Sequence, residues 1–420
     1  MNKVQATIIT IGDELLIGQV IDTNSAFIAQ ELNKIGIQVL QRIAIADDEQ
    51  AIFKTLNNAF NDSEIILLTG GLGPTADDIT KPTLCKYFGG EMIVHQPTLD
   101  FVQYLFENVF KKPMIERNTK QAEVPSSCQV IMNEKGTAPA MLFEKNNKIC
   151  IAMPGVPFEM KWIIREKVIP LLQEKFITGF IEHKTLLTAG IGESFLAEHI
   201  IDWEKNLPAN LKLAYLPKFG MIRLRLSGYG NNKEELHNSI QTEFEKLKHL
   251  VKKYLVVDED VPIELAIAQL LQKHSKTLVL AESCTGGLIA SAFTNHAGAS
   301  NIFNGGVVCY SNFSKNKILQ VPNEILNTVG AVSKETVELL AANVLQLLNS
   351  DYAIAVSGIM GPDGGTQEKP VGFVWIAVAN KKEIKTKSFQ FRYDRERNMQ
   401  HTMVTALNML RELIVNDCEQ

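Results

Sequence analysis

The sequence predicts an α/β protein made of two doubly wound α/β domains joined by a small α+β module. Three observations lead to this fold class. The chain has 420 residues, too many for one ordinary hydrophobic core. Short apolar runs alternate with amphipathic runs over residues 1–170 and again over 259–420, as in mostly parallel sheets covered by helices. Residues 171–258 lack this alternation, so we predict three domains: 1–170, 171–258 and 259–420.

In the first domain, the apolar runs Thr7–Ile11 and Ile65–Thr69 predict buried strands. Ser25–Ile35 and Glu49–Asn57 have helical periodicity. Gly36 stands where a helix C-cap belongs, because glycine accepts the left-handed backbone that ends many helices.

The middle segment has a different pattern. Lys184–Ala189 and the alternating run 221–226 predict strands, and Ser194–Trp203 and residues 232–254 predict helices. The acidic run 258–260, followed by Pro262, predicts a linker.

In the third domain, strand and helix alternate again. The predicted strands are Thr277–Ala281, Val307–Tyr310, Tyr352–Ser357 and Val371–Ala379. The predicted helices are Lys334–Leu348, Arg395–Ile414 and one that opens at Leu288–Phe293.

Composition excludes several classes of protein. The 42 basic and 47 acidic residues give a formal charge of −5, which disfavours direct nucleic-acid binding. No uninterrupted apolar stretch reaches membrane-spanning length, and the interrupted first strand is unlike a secretory signal. The six cysteines are scattered without a CxxC pair, which disfavours a zinc ribbon. We therefore expect a cytoplasmic protein with reduced thiols.

The run from Glu282 to Gly287 joins an apolar strand to a helix. A side chain at such a corner lies at the carboxyl edge of the sheet, where N–H groups of the helix start stabilise an anion. This pattern predicts Ser283 as a nucleophile toward a carbonyl, with Cys284 as a weaker candidate. The predicted substrate-binding residues of the turn are Thr285, Gly286 and Gly287. An ordinary capped turn is the alternative interpretation.

The nucleophile needs a base, and no histidine falls in a catalytic motif. Tyr310 and Lys315 follow the next strand, and a desolvated lysine serves as a base in serine–lysine hydrolases. Packing for Tyr310 and a solvated surface position for Lys315 are the alternatives. A third, glycine-rich loop suits a phosphate or ribose through Gly361, Gly364, Gly365 and Thr366. In a doubly wound sheet the three loops converge on one crevice.

Glycines and carboxylates also follow the strands of the first domain. Glycines beside Asp77 and Asp78 predict a phosphate cradle with a hard divalent cation such as Mg²⁺, although a capped turn is the alternative for the aspartates. The predicted nucleotide-site residues are Gly12, Asp13, Asn24, Gly70, Gly71, Gly73, Thr75, Thr80, Pro154 and Gly155.

The C-terminal motifs resemble those of the CinA C-terminal domain, the nicotinamide-nucleotide amidases. They are AESCTGG from Ala281, YSN-x2-K from Tyr310, and GPxGGT followed by KPVG. The resemblance implies hydrolysis of nicotinamide mononucleotide to nicotinate mononucleotide and ammonia, with no cofactor. It carries over Ser283 as nucleophile, Tyr310 and Lys315 as its activators, and Arg395 as a substrate ligand. Departures from the family pattern are Met360, Asp363, Tyr393 and Met399.

The N-terminal motifs resemble the molybdopterin-binding fold of MoaB- and MogA-type proteins in its CinA version. They are GDELLxG from Gly12, DTN from Asp22, GGLGPTxDDxT from Gly70 and PGVPxEM from Pro154; Ala140 replaces an expected glycine. The resemblance implies metal-dependent hydrolysis of ADP-ribose, with Asp77, Asp78 and Glu159 binding metal or activating water.

The middle segment resembles the KH-like domain of CinA proteins but lacks the GxxG loop that clamps RNA. We interpret it as a spacer or dimer element. The expected partners are small-molecule nucleotides and a second copy of the chain, without nucleic acid or membrane. A domain that holds molybdopterin or a nucleotide without turnover, or a competence-associated protein, remains the alternative.

Overall fold

A computed structural model describes residues 4–75 and 77–418. The chain forms two compact units, residues 1–182 with 228–238 and residues 183–227 with 239–420. Both are mixed α/β structures, which confirms the predicted fold class. The domain boundaries near 170 and 258 remain a prediction.

The strands of the described residues, numbered in chain order, are β1 Gln5–Ile11, β2 Gln38–Ile45, β3 Ile65–Thr69, β4 Met92–Val94, β5 Glu123–Pro125, β6 Gln129–Ile131, β7 Ala140–Lys145, β8 Lys148–Met153, β9 Phe180–Ala189, β10 Leu211–Lys218, β11 Met221–Gly230, β12 Leu255–Val257, β13 Leu278–Glu282, β14 Phe303–Val308, β15 Tyr352–Gly358, β16 Phe373–Asn380 and β17 Ile384–Gln390.

The α-helices are α1 Asp13–Leu16, α2 Thr23–Lys34, α3 Glu49–Asp62, α4 Thr80–Phe88, α5 Gln96–Tyr104, α6 Glu116–Thr119, α7 Pro157–Ile163, α8 Ile169–Lys175, α9 Glu193–Lys205, α10 Lys233–Leu250, α11 Ile263–Lys273, α12 Leu288–Thr294, α13 Asn312–Lys317, α14 Asn323–Thr328, α15 Lys334–Leu347 and α16 Arg395–Cys418. Short 3₁₀ and π-helical turns cover Leu105–Val109, Lys120–Ala122, Ile164–Val168 and Ala299–Asn301. No helix among these has both the length and the apolar character needed to cross a bilayer.

The first unit is built on a six-stranded sheet in the order β2-β1-β3-β8-β7-β6. Strands β2, β1, β3 and β8 run parallel to one another. Strand β7 is antiparallel to β8, and β6 is antiparallel to β7. Alternate side chains serve opposite faces: Ile8 packs with α2 and α7, whereas Ile9 packs with α3 and α4. Helices therefore cover both faces, and the four parallel strands end at one edge.

The second unit contains two sheets. Strands of the middle module, defined here as residues 183–257, lie in a sheet of order β10-β11-β9-β12. The larger sheet has the order β14-β13-β15-β16-β17. Its first three strands are parallel, β16 is antiparallel to β15, and β17 is antiparallel to β16. Leu280 faces α11 and α16, and Val279 faces α15. This sheet is also covered on both faces.

Most predicted elements are present, but one strand is displaced. The strand predicted at Val307–Tyr310 runs from Phe303 to Val308, because Gly305 and Gly306 belong to it. A side chain at Gly306 would lie 3.2 Å from the Cβ of Leu280, so the glycine lets β14 pair closely with β13.

The interpretation of the middle module as a spacer is wrong in one respect. Leu187, Ala189 and Met221 belong to the same buried apolar cluster as Ile376 and Leu407 of the third domain. The middle module therefore contributes side chains to the hydrophobic core of the C-terminal domain and is more than a connection between domains. Asp260 of the predicted linker is likewise held, because its carboxylate pairs with Arg223 at 3.1 Å.

Gly36 ends α2 as predicted, in a Schellman motif. Its N–H donates to the carbonyl of Asn33, and that of Ile37 donates to the carbonyl of Leu32. Gly36 has a φ of +77°, and an added Cβ would lie 1.7 Å from the carbonyl oxygen of Gly179. Glycine is thus required by both the backbone conformation and the neighbouring chain.

We expect Gly36→Ala to lower the free energy of unfolding by more than about 2 kcal/mol, because backbone strain and a backbone clash add. Gly18→Ala is the matched control, since Gly18 has a φ of +75° with nothing within 4 Å of an added Cβ. Urea denaturation of both variants measures the difference. Equal losses would show that the contact with Gly179 has no energetic role.

Candidate functional sites

Three loops of the second unit meet at the carboxyl edge of its larger sheet. Ser283 follows β13, Tyr310 lies just beyond β14, and the loop 359–372 follows β15. Because these strands are parallel, their carboxyl ends lie side by side. The N–H of Ser283 donates to the carbonyl of Val356 at 3.1 Å, which ties the first loop to the third strand.

The central pair of this site is Ser283 and Lys315. The Nζ of Lys315 lies 3.0 Å from the Oγ of Ser283. Both residues are buried, with Lys315 only 1% exposed, so the solvated surface position considered for Lys315 is excluded. The sequence prediction that these two residues come together is confirmed by this distance.

Two backbone carbonyls fix the amine of Lys315. Its Nζ donates to the carbonyl oxygens of Cys309 at 2.8 Å and Tyr310 at 3.0 Å. Burial lowers the pKa of Lys315 below its usual range. The Nζ also lies within donating distance of the Ser283 Oγ. In the neutral form, with its two hydrogens donated to the two carbonyls, the amine would direct its lone pair at the hydroxyl of Ser283. That is the arrangement of a general base.

Cys284 is not a competing nucleophile. It is 5% exposed and belongs to the apolar cluster on one face of the sheet. Burial raises the pKa of its thiol to about 12. Since the thiolate is the reactive form, this cysteine is inert near neutral pH.

The start of helix α12 is occupied by a carboxylate of the protein itself. Glu282, 1% exposed, accepts hydrogen bonds from the N–H groups of Gly287 at 3.0 Å, Ile289 at 3.1 Å and Ala290 at 2.8 Å. The hydroxyl of Thr285 donates to the same carboxylate at 2.7 Å. The sequence pattern alone did not predict that Glu282 caps the helix.

Donor groups of three predicted substrate-binding residues are engaged within the turn itself. The Thr285 hydroxyl and the Gly287 N–H are already engaged by Glu282, and the Gly286 N–H donates to the carbonyl of Ser283. These groups therefore shape the turn that presents Ser283, and the anion held at the helix start is Glu282.

The role of Tyr310 in activating Ser283 remains a prediction. Its hydroxyl accepts a hydrogen bond from the guanidinium of Arg395 at 3.3 Å, and the side chain is 62% exposed. Its backbone carbonyl, in contrast, holds Lys315. Tyr310 thus positions the base through its main chain and contacts the predicted substrate ligand through its side chain.

Arg395 links the second and third loops, because it also donates to the carbonyl of Gly361 at 2.7 Å. Within the third loop, the N–H of Thr366 donates to the carbonyl of Lys369, and the N–H of Lys369 donates to the Thr366 hydroxyl. Gly364 and Gly365 lie on the exposed part of this loop. Of the four predicted binding residues of the loop, Gly361 contacts Arg395, and Gly364, Gly365 and Thr366 lie at the exposed tip.

Asn398 is a site residue that the sequence did not reveal. It is fully buried, its Nδ2 donates to the carbonyls of Met360 at 3.1 Å and Tyr393 at 2.9 Å, and its Oδ1 accepts from the N–H of Tyr393. It joins the glycine-rich loop to the start of α16. An asparagine inside a helical pattern carries no signal for such a role.

The first unit has a cavity of about 490 Å³ at the carboxyl edge of its parallel strands. Its lining includes ten of the predicted residues: Gly12, Asn24, Gly70, Gly71, Gly73, Asp77, Asp78, Pro154, Gly155 and Glu159. Asp47 and Gln121 also line it and were missed. Asp47 follows the parallel strand β2, so its position after a strand end was a usable signal.

Three predicted residues do not line the cavity. Asp13 opens α1, and Thr75 donates its N–H to Asp78 at 2.9 Å. Thr80 is buried. A Cβ added at Gly71 would lie only 2.2 Å from the Thr80 hydroxyl oxygen, so position 71 requires glycine. Asn24 spans the cavity wall by donating to the carbonyl of Gly155 at 2.7 Å.

The three predicted metal ligands do not fit a shared ion. No group of three or more His, Cys, Asp or Glu residues in the described ranges could hold a metal ion. Asp78 accepts from Thr75, and Glu159 accepts from the amide of Asn133 at 2.6 Å. Burial raises the pKa of Glu159 and of Asp47, the latter with the neighbouring charges of Asp13, Glu14 and Asp78.

Three segments of the chain are similar to known protein families. Family profiles match residues 7–174 (probable molybdopterin binding domain), 183–256 (damage-inducible protein CinA KH domain) and 260–414 (CinA C-terminal domain). The CinA-like protein of Flavobacterium psychrophilum is 44% identical over 414 residues, covering 98% of this chain and 99% of that protein. The chain belongs to the CinA family.

One further relative and one solved structure are also similar to this chain. The CinA-like protein of Cytophaga hutchinsonii is also 44% identical, over 408 residues, with 97% of each chain covered. A crystal structure of a competence-damaged protein (CinA) superfamily protein from Klebsiella pneumoniae is 34% identical and covers 37% of this chain and 96% of its own, with a TM-score of 0.36.

The departures from the CinA pattern have structural explanations. Met360 and Met399 pack against the apolar cluster of the C-terminal domain. Asp363 is exposed at the loop tip. Ala140 is buried in the core of the first unit and is not part of the cavity lining.

For this CinA-family protein, we expect Glu282→Gln to lower the free energy of unfolding by about 2 kcal/mol, because an amide nitrogen cannot accept from the helix N–H groups. Glu335→Gln, at the exposed first turn of α15, is the control and should change stability by less than about 0.5 kcal/mol. Chemical denaturation followed by circular dichroism measures both. An unchanged midpoint for Glu282→Gln would contradict the capping role.

Proposed function

We propose that the C-terminal domain hydrolyses the carboxamide of nicotinamide mononucleotide, with Ser283 as nucleophile and Lys315 as general base. The observation that carries this proposal is the 3.0 Å contact between the two side chains in a desolvated site. The substrate class comes from the resemblance of the surrounding loops to the amidase family.

In the proposed reaction, the neutral amine of Lys315 takes the hydroxyl proton while the Oγ of Ser283 forms a bond to the carboxamide carbon. The C–N bond then breaks, and ammonia leaves with the proton from Lys315. A water molecule hydrolyses the resulting ester, giving nicotinate mononucleotide and free Ser283. Glu282 keeps the turn in place, and Arg395 binds the substrate.

The guanidinium of Arg395 suits this binding role. It is exposed, and two of its nitrogens donate to Gly361 and Tyr310. A guanidinium has five N–H donors, so others remain for a phosphate or carboxamide oxygen. Arg395 thus lies beside the groups that hold Lys315.

We expect Ser283→Ala to lower ammonia release from nicotinamide mononucleotide at least about 10³-fold, because no other nucleophile is activated there. Ser291→Ala, on the exposed side of α12, should retain full activity.

Activity of the wild type should rise as the pH climbs through the lowered pKa of Lys315, since only the neutral amine takes a proton. Lys315→Arg should lack this rise. Full activity of Ser283→Ala would disprove the mechanism.

We propose, second, that the N-terminal cavity binds a nucleotide such as ADP-ribose and hydrolyses its pyrophosphate. The supporting observation is the 490 Å³ cavity, whose wall includes the backbone of Gly70, Gly71 and Gly73 at one sheet edge. Among the residues that the structure describes, the lining contains acidic but no basic side chains, so these residues alone do not neutralise a pyrophosphate. Since the predicted ligands do not fit a metal, no catalytic step is assigned here.

Titration calorimetry with ADP-ribose, followed by chromatography for AMP and ribose phosphate, tests this second site. We expect Asn24→Ala to weaken binding about tenfold, because the variant loses the hydrogen bond that holds Gly155. Asn58→Ala, on an exposed part of α3, is the control. Binding without products, with or without Mg²⁺, would favour the non-catalytic alternative, and no binding would disprove the proposal.

A further inference from the structure

The turn between β10 and β11 contains an unusual residue. Phe219 and Gly220 form this two-residue connection with φ values of +49° and +78°. Turns with positive φ at both central positions favour Asn-Gly, because a bulky side chain is strained in the left-handed region. A strained residue of this kind is a reason to look for a function of its side chain.

The side chain of Phe219 reaches the C-terminal domain. Its ring lies edge-on to His401 of α16, with centroids 5.9 Å apart, and it packs against the buried apolar cluster of that domain. His401 stacks on Tyr393 at 4.4 Å with an interplanar angle of 5°, and Phe391 lies 5.5 Å away. We define Phe219, His401 and Tyr393 as the aromatic bridge.

The bridge ends beside the predicted substrate ligand. Tyr393 precedes Arg395 by two residues, and its backbone is held at both ends by Asn398. Asn398 also holds the carbonyl of Met360 in the glycine-rich loop. Tyr393 and Asn398 therefore connect the bridge to the start of α16, where the Arg395 guanidinium meets Gly361 and Tyr310.

We propose that the middle module is a positioning element of the amidase site, acting through the aromatic bridge to hold Arg395 in its substrate-binding position. This inference rests on the proposed function of the C-terminal domain. Phe219 is a positioning residue, since it contacts Arg395 only through His401 and Tyr393. Tyr393, which replaces the family's glycine, provides the stacking face that glycine lacks.

Phe219→Asn in the full chain separates positioning from folding. Asparagine favours this turn, which offsets the packing lost with the ring, so the melting temperature should change little. The KM for nicotinamide mononucleotide should nevertheless rise roughly threefold to tenfold, as expected when a charged hydrogen bond to substrate is weakened. The kcat should change much less. Phe219→Tyr, which keeps the ring, should restore the wild-type KM.

Phe195→Asn is the matched control, because Phe195 is 74% exposed in the same module and lies outside the bridge. It should leave KM unchanged. Hydrogen–deuterium exchange of residues 391–398 supplies a readout that needs no substrate turnover. We expect faster exchange in Phe219→Asn than in the wild type or the control.

The outcomes distinguish the two proposals. Absence of ammonia release from the wild type would disprove the proposed function, and the exchange measurement would still test the bridge. Unchanged exchange over residues 391–398 in Phe219→Asn would disprove the bridge. Faster exchange with an unchanged KM would disprove the role of the bridge in substrate binding.

Discussion

The buried carboxylate of Glu282 is the interaction on which the C-terminal site depends. It is almost without solvent contact and receives three backbone N–H groups and one hydroxyl. Burying a charge is unfavourable unless such partners replace water, so the turn can exist only in the shape that supplies them. Ser283 follows directly, and its orientation toward Lys315 is a consequence of that shape.

Both units place their candidate sites by the same topological rule. Parallel strands end at a common edge, and the polar residues after them are brought together although they are distant in sequence. The two sites differ in chemistry. Around Ser283 the polar groups are satisfied by each other, and burial lowers the pKa of the Lys315 amine. The N-terminal cavity is open and acidic, with Asp47 and Glu159 partly desolvated.

The sequence predicted the strands, the edge and the Ser283–Lys315 pair because strand ends and glycine turns leave local patterns. It did not predict which groups are hydrogen-bond partners of each other. Glu282 was missed because its ligands are backbone groups, which no residue type reveals. The carbonyl of Tyr310 that holds Lys315 is likewise a backbone group, which the sequence does not reveal. The role of Asn398 depends on tertiary packing, and no sequence periodicity predicts that Met221 shares an apolar cluster with the C-terminal domain.

The shared core of the middle module and the C-terminal domain also limits how the chain can be divided. A fragment beginning near Pro262 would leave the partners of Leu187, Ala189 and Met221 facing water. Newly exposed apolar surface promotes self-association, so such a fragment would need polar replacements on α16 and β16 to stay in solution. A cut at the module boundary visible in the sequence would therefore expose part of an apolar core that the two segments share.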